Sequence, residues 1–173
     1  MIGIAARYDP MKDHRNFILA ASKLSKLKPS AEYIMCGTNI TKGNQELNDY
    51  IAELGLSGKV HLLGYRNDMN KIYAALDIIA VTSRTEAFPM VICESMACGT
   101  PCVVTDTGEL SYIVGKTGLT VEKENSDALV HAFLEILNKN KTEKIKLSSS
   151  CRERISSLFS LQSTVSAYEK NYH

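Results

Sequence analysis

Short runs of apolar residues alternate with amphipathic stretches along most of the chain. The apolar runs fall at 2–6, 32–36, 59–63, 77–82, 101–105 and 118–122. Within each run the hydrophobic character is continuous instead of alternating, which marks parallel strands covered on both faces. Between them lie segments of helical periodicity near 14–27, 44–54, 68–76, 89–98, 108–114 and 126–138. In the first of these, Phe17, Ile18, Ala21, Leu24 and Leu27 share one face. Six repeats of strand then helix predict an α/β fold, a Rossmann-like doubly wound sheet of about six parallel strands with helices on both faces. Right-handed crossovers favour the strand order 3-2-1-4-5-6. Residues from about 141 to 172 carry no strand signal and read as C-terminal helices with sparse anchors such as Ile145, Leu147, Ile155, Leu158 and Phe159. No linker-like composition interrupts the chain, so residues 1–173 are expected to form a single domain.

Composition narrows the function classes. Hydrophobic residues make up 45% and charged residues 23%, the balance of a soluble globular protein. A net charge of +1 offers no basic field for nucleic acid. The strongest local bias is Lys139, Lys141, Lys144 and Lys146 around Glu143; it reads as a solvated helix face, with weak attraction to a membrane surface as a second use. The five cysteines, Cys36, Cys93, Cys98, Cys102 and Cys151, are odd in number and lack C-x-x-C spacing. They indicate neither a disulfide frame nor a zinc site and suit a reduced, cytoplasmic protein. The four histidines are dispersed, without metal-ligand spacing. No apolar run approaches the roughly 20 residues of a membrane span. The chain opens inside a strand, at Ile2-Gly3-Ile4-Ala5-Ala6, and is therefore expected to be part of something longer.

In an open parallel sheet, ligands bind beyond the carboxyl ends of the strands where the strand order reverses. For the predicted order that point lies between the first and fourth strands, and the loops to inspect are 7–13 and 83–89. The first contains Arg7 and Lys12, two cations that could converge on one diphosphate or remain ordinary loop charges, with Asp13 as a helix N-cap. The second leads into a helix that Pro89 is expected to open at its first position, with Gly99 and Pro101 ending it. The N-terminus of such a helix is an anion site. Glu94 sits mid-helix among Val91, Ile92, Cys93, Ser95 and Met96, in surroundings that read as buried, where a carboxylate needs a partner. A ribose diol fits it, as does a neighbouring cation or a narrow exposed polar stripe. Glu86 lies on the preceding loop, as a second acid of the same cleft or as a capping or solvated carboxylate.

Taken together, these residues resemble the donor-binding C-terminal domain of GT-B glycosyltransferases, specifically the retaining family 4 group. The likeness runs from Ile2 to about Asn138, and its most specific part is the E-x7-E element from Glu86 to Glu94, within Glu86-Ala-Phe-Pro and Glu94-Ser-Met-Ala-Cys-Gly-Thr-Pro101. The resemblance implies that Arg7 and Lys12 bind the donor diphosphate and neutralise the departing nucleotide, and that Glu94 holds the ribose. It implies that Glu86 contacts the transferred sugar, which with Arg7 and Lys12 completes the catalytic set. Amides near Phe88, Met90 and Val91 would approach sugar and phosphate, and the nucleobase would lie by Gly37, Thr38, Tyr65 and Arg66.

The implied enzyme transfers a hexose or N-acetylhexosamine from a nucleoside-diphosphate sugar, a UDP-sugar by family habit, to a glycan or lipid-linked acceptor. An N-terminal acceptor-binding domain outside this chain would be its partner, so the domain alone would be inactive. The family uses no D-x-D motif, and neither a cofactor nor a metal is expected. A cytoplasmic location is expected, with peripheral association of the whole enzyme at the inner membrane face as a further possibility. The departures from the family pattern are Ala6 before Arg7 and Asp13 after Lys12, each in place of a frequent glycine, Pro89 in place of another, and one glycine in Thr105-Asp106-Thr107-Gly108-Glu109 where two are usual. Two other readings stay open: a nucleotide-sugar 2-epimerase of the same architecture, and a non-catalytic nucleotide-binding module.

Overall fold

A computed structural model describes residues 1–163 together with Val165 and Glu169. Strands and helices alternate as β1 (Ile2–Ala5), α1 (His14–Leu27), β2 (Tyr33–Cys36), α2 (Gln45–Glu53), β3 (Val60–Leu62), α3 (Met69–Ala75), β4 (Ile78–Val81), α4 (Met90–Ala97), β5 (Cys102–Thr105), α5 (Leu110–Val114), β6 (Leu119–Val121), α6 (Ser126–Leu137) and α7 (Lys141–Leu158). The six strands are parallel and ordered β3-β2-β1-β4-β5-β6, as the hydrophobic pattern predicts. The chain winds from β1 out to the β3 edge, then returns to place β4 beside β1, with Ile2 opposite Ile78 and Ile4 opposite Ala80. That return creates the crevice between the loops after β1 and β4.

Continuous hydrophobicity in the strands reflects two cores, one on each face. Ile2, Ile4, Ile78, Ala80 and Val103 pack on one side with Phe17, Leu24, Leu47 and Phe133 of the helices. Ile79, Val81, Cys102 and Val104 pack on the other with Ile72, Ile92, Met96, Ile113 and Cys151. Neighbours along a strand point to opposite faces, so both parities must be apolar. Of the five cysteines, four are buried and Cys98 is half-buried.

Two local expectations need correction. Pro89 is the N-cap of α4 and not its first helical residue, because its ψ of 117° is extended. The helix expected over 108–114 shortens to Leu110–Val114, since Gly108 is left-handed at φ 52°. Asn140 and Glu143 form a reciprocal capping box that starts α7, the long helix of the span read as one or two C-terminal helices. The rest of that C-terminal expectation, at 164, 166–168 and 170–172, lies outside the described residues.

Helix α7 secures the elements that carry the crevice. The Arg152 guanidinium donates to the carbonyl of Cys98, at the end of α4, at 2.9 Å. Arg154 donates to the carbonyls of Ile113 (2.7 Å) and Tyr112, at the end of α5. Cations at helix C-termini satisfy free carbonyls and oppose the helix dipole, while the opposite end of α4 faces the crevice.

Candidate functional site

The site begins with a loop continued from the sheet. Beyond β1, the Ala6 N–H donates to the Cys36 carbonyl (2.9 Å) and the Tyr8 N–H to the Thr38 carbonyl (2.8 Å), extending the β1–β2 ladder outward. Asp9 caps a single 3-10 turn over Pro10–Lys12, accepting from the Met11 N–H at 2.9 Å, and also accepts from the Arg7 guanidinium at 3.1 Å. Asp13 then adopts the left-handed conformation (φ 47°) and caps α1 by accepting from the Asn16 N–H at 3.3 Å. This explains why a glycine is common after the loop lysine and why aspartate replaces it at little cost: Asp tolerates this region and supplies the cap. Next to it, burial holds the His14 imidazole neutral, with its pKa lowered to about 4.

The loop after β4 is laced to this one. The Arg84 N–H donates to the Met11 carbonyl (2.8 Å), and the Thr82 hydroxyl reaches the carbonyls of Lys12 (2.8 Å) and Asp13 (3.1 Å). Lys12 Nζ lies 2.5 Å from Glu86 Oε1, with side chains only 22% and 11% exposed. The same Glu86 oxygen accepts from Ser83 Oγ at 2.7 Å. Lys12 and Glu86, 74 residues apart in sequence, thus meet at one mouth of the sheet.

A groove of about 270 Å³ adjoins the loops and is lined by Arg7, Gly37, Thr38, Tyr65, Arg66 and Glu94, among others. Seven of the eleven side chains or glycines singled out from the sequence, these six and Val91, therefore share one groove, while Lys12 and Glu86 are outside its lining and pair with each other. Phe88 and Met90 do not line it: both are exposed, and the Phe88 ring rests 5.9 Å from that of Phe159. Met90 opens α4, and no side chain caps that helix, whose first N–H groups have no intrahelical partners.

Glu94 is exposed, the narrow polar stripe that was one of its open readings, while Ile92, Cys93, Ser95 and Met96 around it are buried as expected. On a helix the residues three apart share a face, so Glu94 aligns with half-buried Val91 and exposed Ala97 while Cys93 and Ser95 turn into the core. Its partner is Tyr73 of α3, whose phenol donates to Glu94 Oε2 at 3.0 Å. Burial and then the adjacent carboxylate push the Tyr73 pKa well above its ordinary range, keeping the phenol protonated as a donor. Arg66 is held by Asp68 through two bonds of 2.8 and 2.7 Å, which turns its guanidinium toward its own loop.

Ser83 and Tyr73 are contacts that sequence reasoning missed. The spacing of Ser83 three residues before Glu86 is the one local signal for the first; the second depends on the packing of α3 against α4. Among the described residues no group of three or more His, Cys, Asp or Glu side chains is placed to hold a metal ion. No helix among them is long and apolar enough to cross a membrane.

An open parallel sheet with paired cations and acids at its switch point defines a class of ligand-binding α/β domain. The chain belongs to the family of glycosyl transferases group 1, which matches residues 1–154. It is 35% identical over 131 residues to the D-inositol 3-phosphate glycosyltransferase of Corynebacterium jeikeium, covering 70% of this chain and 31% of that enzyme. It is 25% identical over 173 residues to the Escherichia coli UDP-Gal:alpha-D-GlcNAc-diphosphoundecaprenol alpha-1,3-galactosyltransferase, covering 98% and 44%. The crystal structure of Anabaena HepE in complex with UDP superposes with a TM-score of 0.85 at 27% identity, covering 99% of this chain and 48% of that one. The matched part of the chain thus spans between 31% and 48% of the length of these relatives.

Proposed function

We propose that this chain is the donor-binding half of a retaining glycosyltransferase, moving a hexose or N-acetylhexosamine from a UDP-sugar to a glycan or lipid-linked acceptor. Membership of the family supports glycosyl transfer by the whole enzyme. The UDP bound to HepE supports a uridine nucleotide, and the E. coli relative, by its name, joins a UDP-sugar donor to a lipid-diphosphate acceptor. The observation that carries the reading is the Lys12–Glu86 contact, which joins the loops after β1 and β4, the first of which also supplies Arg7 to the groove that Glu94 lines.

In this reading Lys12 and Arg7 bind the diphosphate. Lys12 has three N–H donors, of which Glu86 takes one, so it keeps capacity for phosphate oxygens. Both cations are fixed before reaction, which favours the developing charge on the departing nucleotide without reorganisation. The uncapped start of α4, with the amides of Met90 and Val91, adds to that field. Glu86 takes hydroxyls of the sugar, Glu94 takes the ribose diol, and the base lies by Gly37, Thr38, Tyr65 and Arg66. In this scheme Arg7, Lys12 and the α4 amides do the electrostatic work that a metal would otherwise supply. The acceptor arrives on an N-terminal domain outside this chain and attacks from the face the nucleotide leaves. The lysines at 139, 141, 144 and 146, with Ile145 exposed beside them, fit a weak peripheral attachment of the whole enzyme at the cytoplasmic membrane face.

Calorimetry tests the assignment. The chain is expected to prefer UDP to UMP and to 2′-deoxy-UDP. Glu94→Ala should weaken UDP about tenfold and remove the preference over the deoxy analogue, the loss of a hydrogen bond to a charged group. An intact fold that binds none of UDP, GDP and ADP at roughly millimolar concentration would overturn the reading.

A further inference from the structure

Two adjacent residues at the end of β4, Thr82 and Ser83, are buried hydroxyls with distinct duties. Their side chains are 1% and 2% exposed as residues, in a position where apolar groups would cost nothing to bury. Thr82 Oγ1 donates to the Lys12 carbonyl at 2.8 Å, fixing the backbone from which the lysine projects. Ser83 Oγ donates to Glu86 Oε1 at 2.7 Å, fixing the acid. The Ser83 backbone is held in turn: its carbonyl accepts from the fully buried Thr105 hydroxyl at 2.6 Å. Consecutive residues of the strand end therefore hold the two partners of the Lys12–Glu86 pair from below, one through backbone and one through side chain.

The geometry at Glu86 is asymmetric. Oε1 receives both the Lys12 ammonium (2.5 Å) and the Ser83 hydroxyl (2.7 Å), so the two donors converge on a single oxygen and set the carboxylate plane. A carboxylate has about four lone-pair sites, so with Oε1 doubly engaged Oε2 is the oxygen left to take further donors. Without Ser83 the lysine alone would hold the acid, and a point charge on a flexible stem fixes no plane.

We infer that Ser83 is a positioning residue for sugar recognition: its hydroxyl orients Glu86 so that Oε2 meets a hydroxyl of the donor sugar, and it has no direct part in holding the nucleotide. This rests on the assignment of Glu86 to the sugar. The measured quantity is the ratio of affinities for a UDP-sugar and for UDP, using whichever of UDP-glucose, UDP-galactose and UDP-N-acetylglucosamine binds the unaltered chain most tightly. A role in general folding would lower both affinities together and leave the ratio alone. Ser83→Ala should lower the ratio by roughly tenfold, with UDP affinity itself changed by less than about threefold. Ser83→Cys, which keeps the volume and a weak donor, should fall between the two and supplies the reading if the alanine variant melts early. Glu86→Ala calibrates the experiment. A ratio unmoved by Glu86→Ala overturns the sugar assignment of Glu86, and the role of Ser83 with it. A ratio lowered by Glu86→Ala but unmoved by either Ser83 variant overturns the role of Ser83 alone.

Discussion

Lys12→Ala is expected to lower the affinity for UDP by about 10- to 100-fold, the loss of a charge-assisted contact to phosphate. It should exceed the loss from Arg7→Ala. The Lys12 side chain is 22% exposed and lies against Glu86, whereas Arg7 is 68% exposed and shares its charge with Asp9. Screening by water weakens the second cation more than the first. Truncating Lys12 also strips Glu86, 11% exposed, of its only ion-pair partner among the described residues, which leaves a partly buried acid beside the incoming phosphates. Two effects then add: a lost attraction and an unmasked repulsion. UMP, with fewer phosphate charges, should suffer less than UDP in both variants. Calorimetry with the two nucleotides checks this, and equal losses for UMP and UDP would argue against a diphosphate site.

Gly37→Ala should be the most damaging single methyl group in the groove. Gly37 has φ 142°, a region L-residues rarely enter, and a Cβ there would sit 2.1 Å from the Ala6 carbonyl oxygen and 3.0 Å from the Arg7 nitrogen. Both obstacles are backbone, so no rotamer change relieves them. Strain of this kind costs on the order of 3 kcal/mol, and about 2–4 °C of melting temperature accompanies each kcal/mol in a domain of this size. A fall of roughly 6–12 °C is expected by calorimetric melting. Because the displaced backbone carries Arg7, UDP affinity should drop as well. Gly55→Ala is the control, since Gly55 also has positive φ (69°) but nothing within 4 Å of the added carbon; it should cost about 1 kcal/mol and leave binding intact.

The strand order and the placing of the two loops were legible because they follow from periodicity and chain direction. Continuous apolar runs such as Ile78–Val81 admit one explanation, burial on both faces, and alternation with helices leaves few topologies. The convergence of Lys12 with Glu86 was legible for the same reason: both lie at carboxyl ends of neighbouring central strands. The exposure of Glu94 was only one of its open readings, because its neighbours Cys93 and Ser95 are buried while the 100° step of a helix turns the residue between them outward. Pro89 was misplaced by one position because a proline suits either side of a helix start, and only its ψ distinguishes them. Tyr73 and Thr105 were invisible for a different reason. Each acts on a residue more than twenty positions away, through packing that no local pattern encodes.

The most direct test is a crystal structure of this chain soaked with a UDP-sugar. The diphosphate is expected between Arg7 and Lys12 with the ribose hydroxyls on Glu94. A nucleotide seated elsewhere, such as the lysine-rich groove of Lys139, Lys144 and Arg152 on α7 and the turn before it, would contradict the assignment.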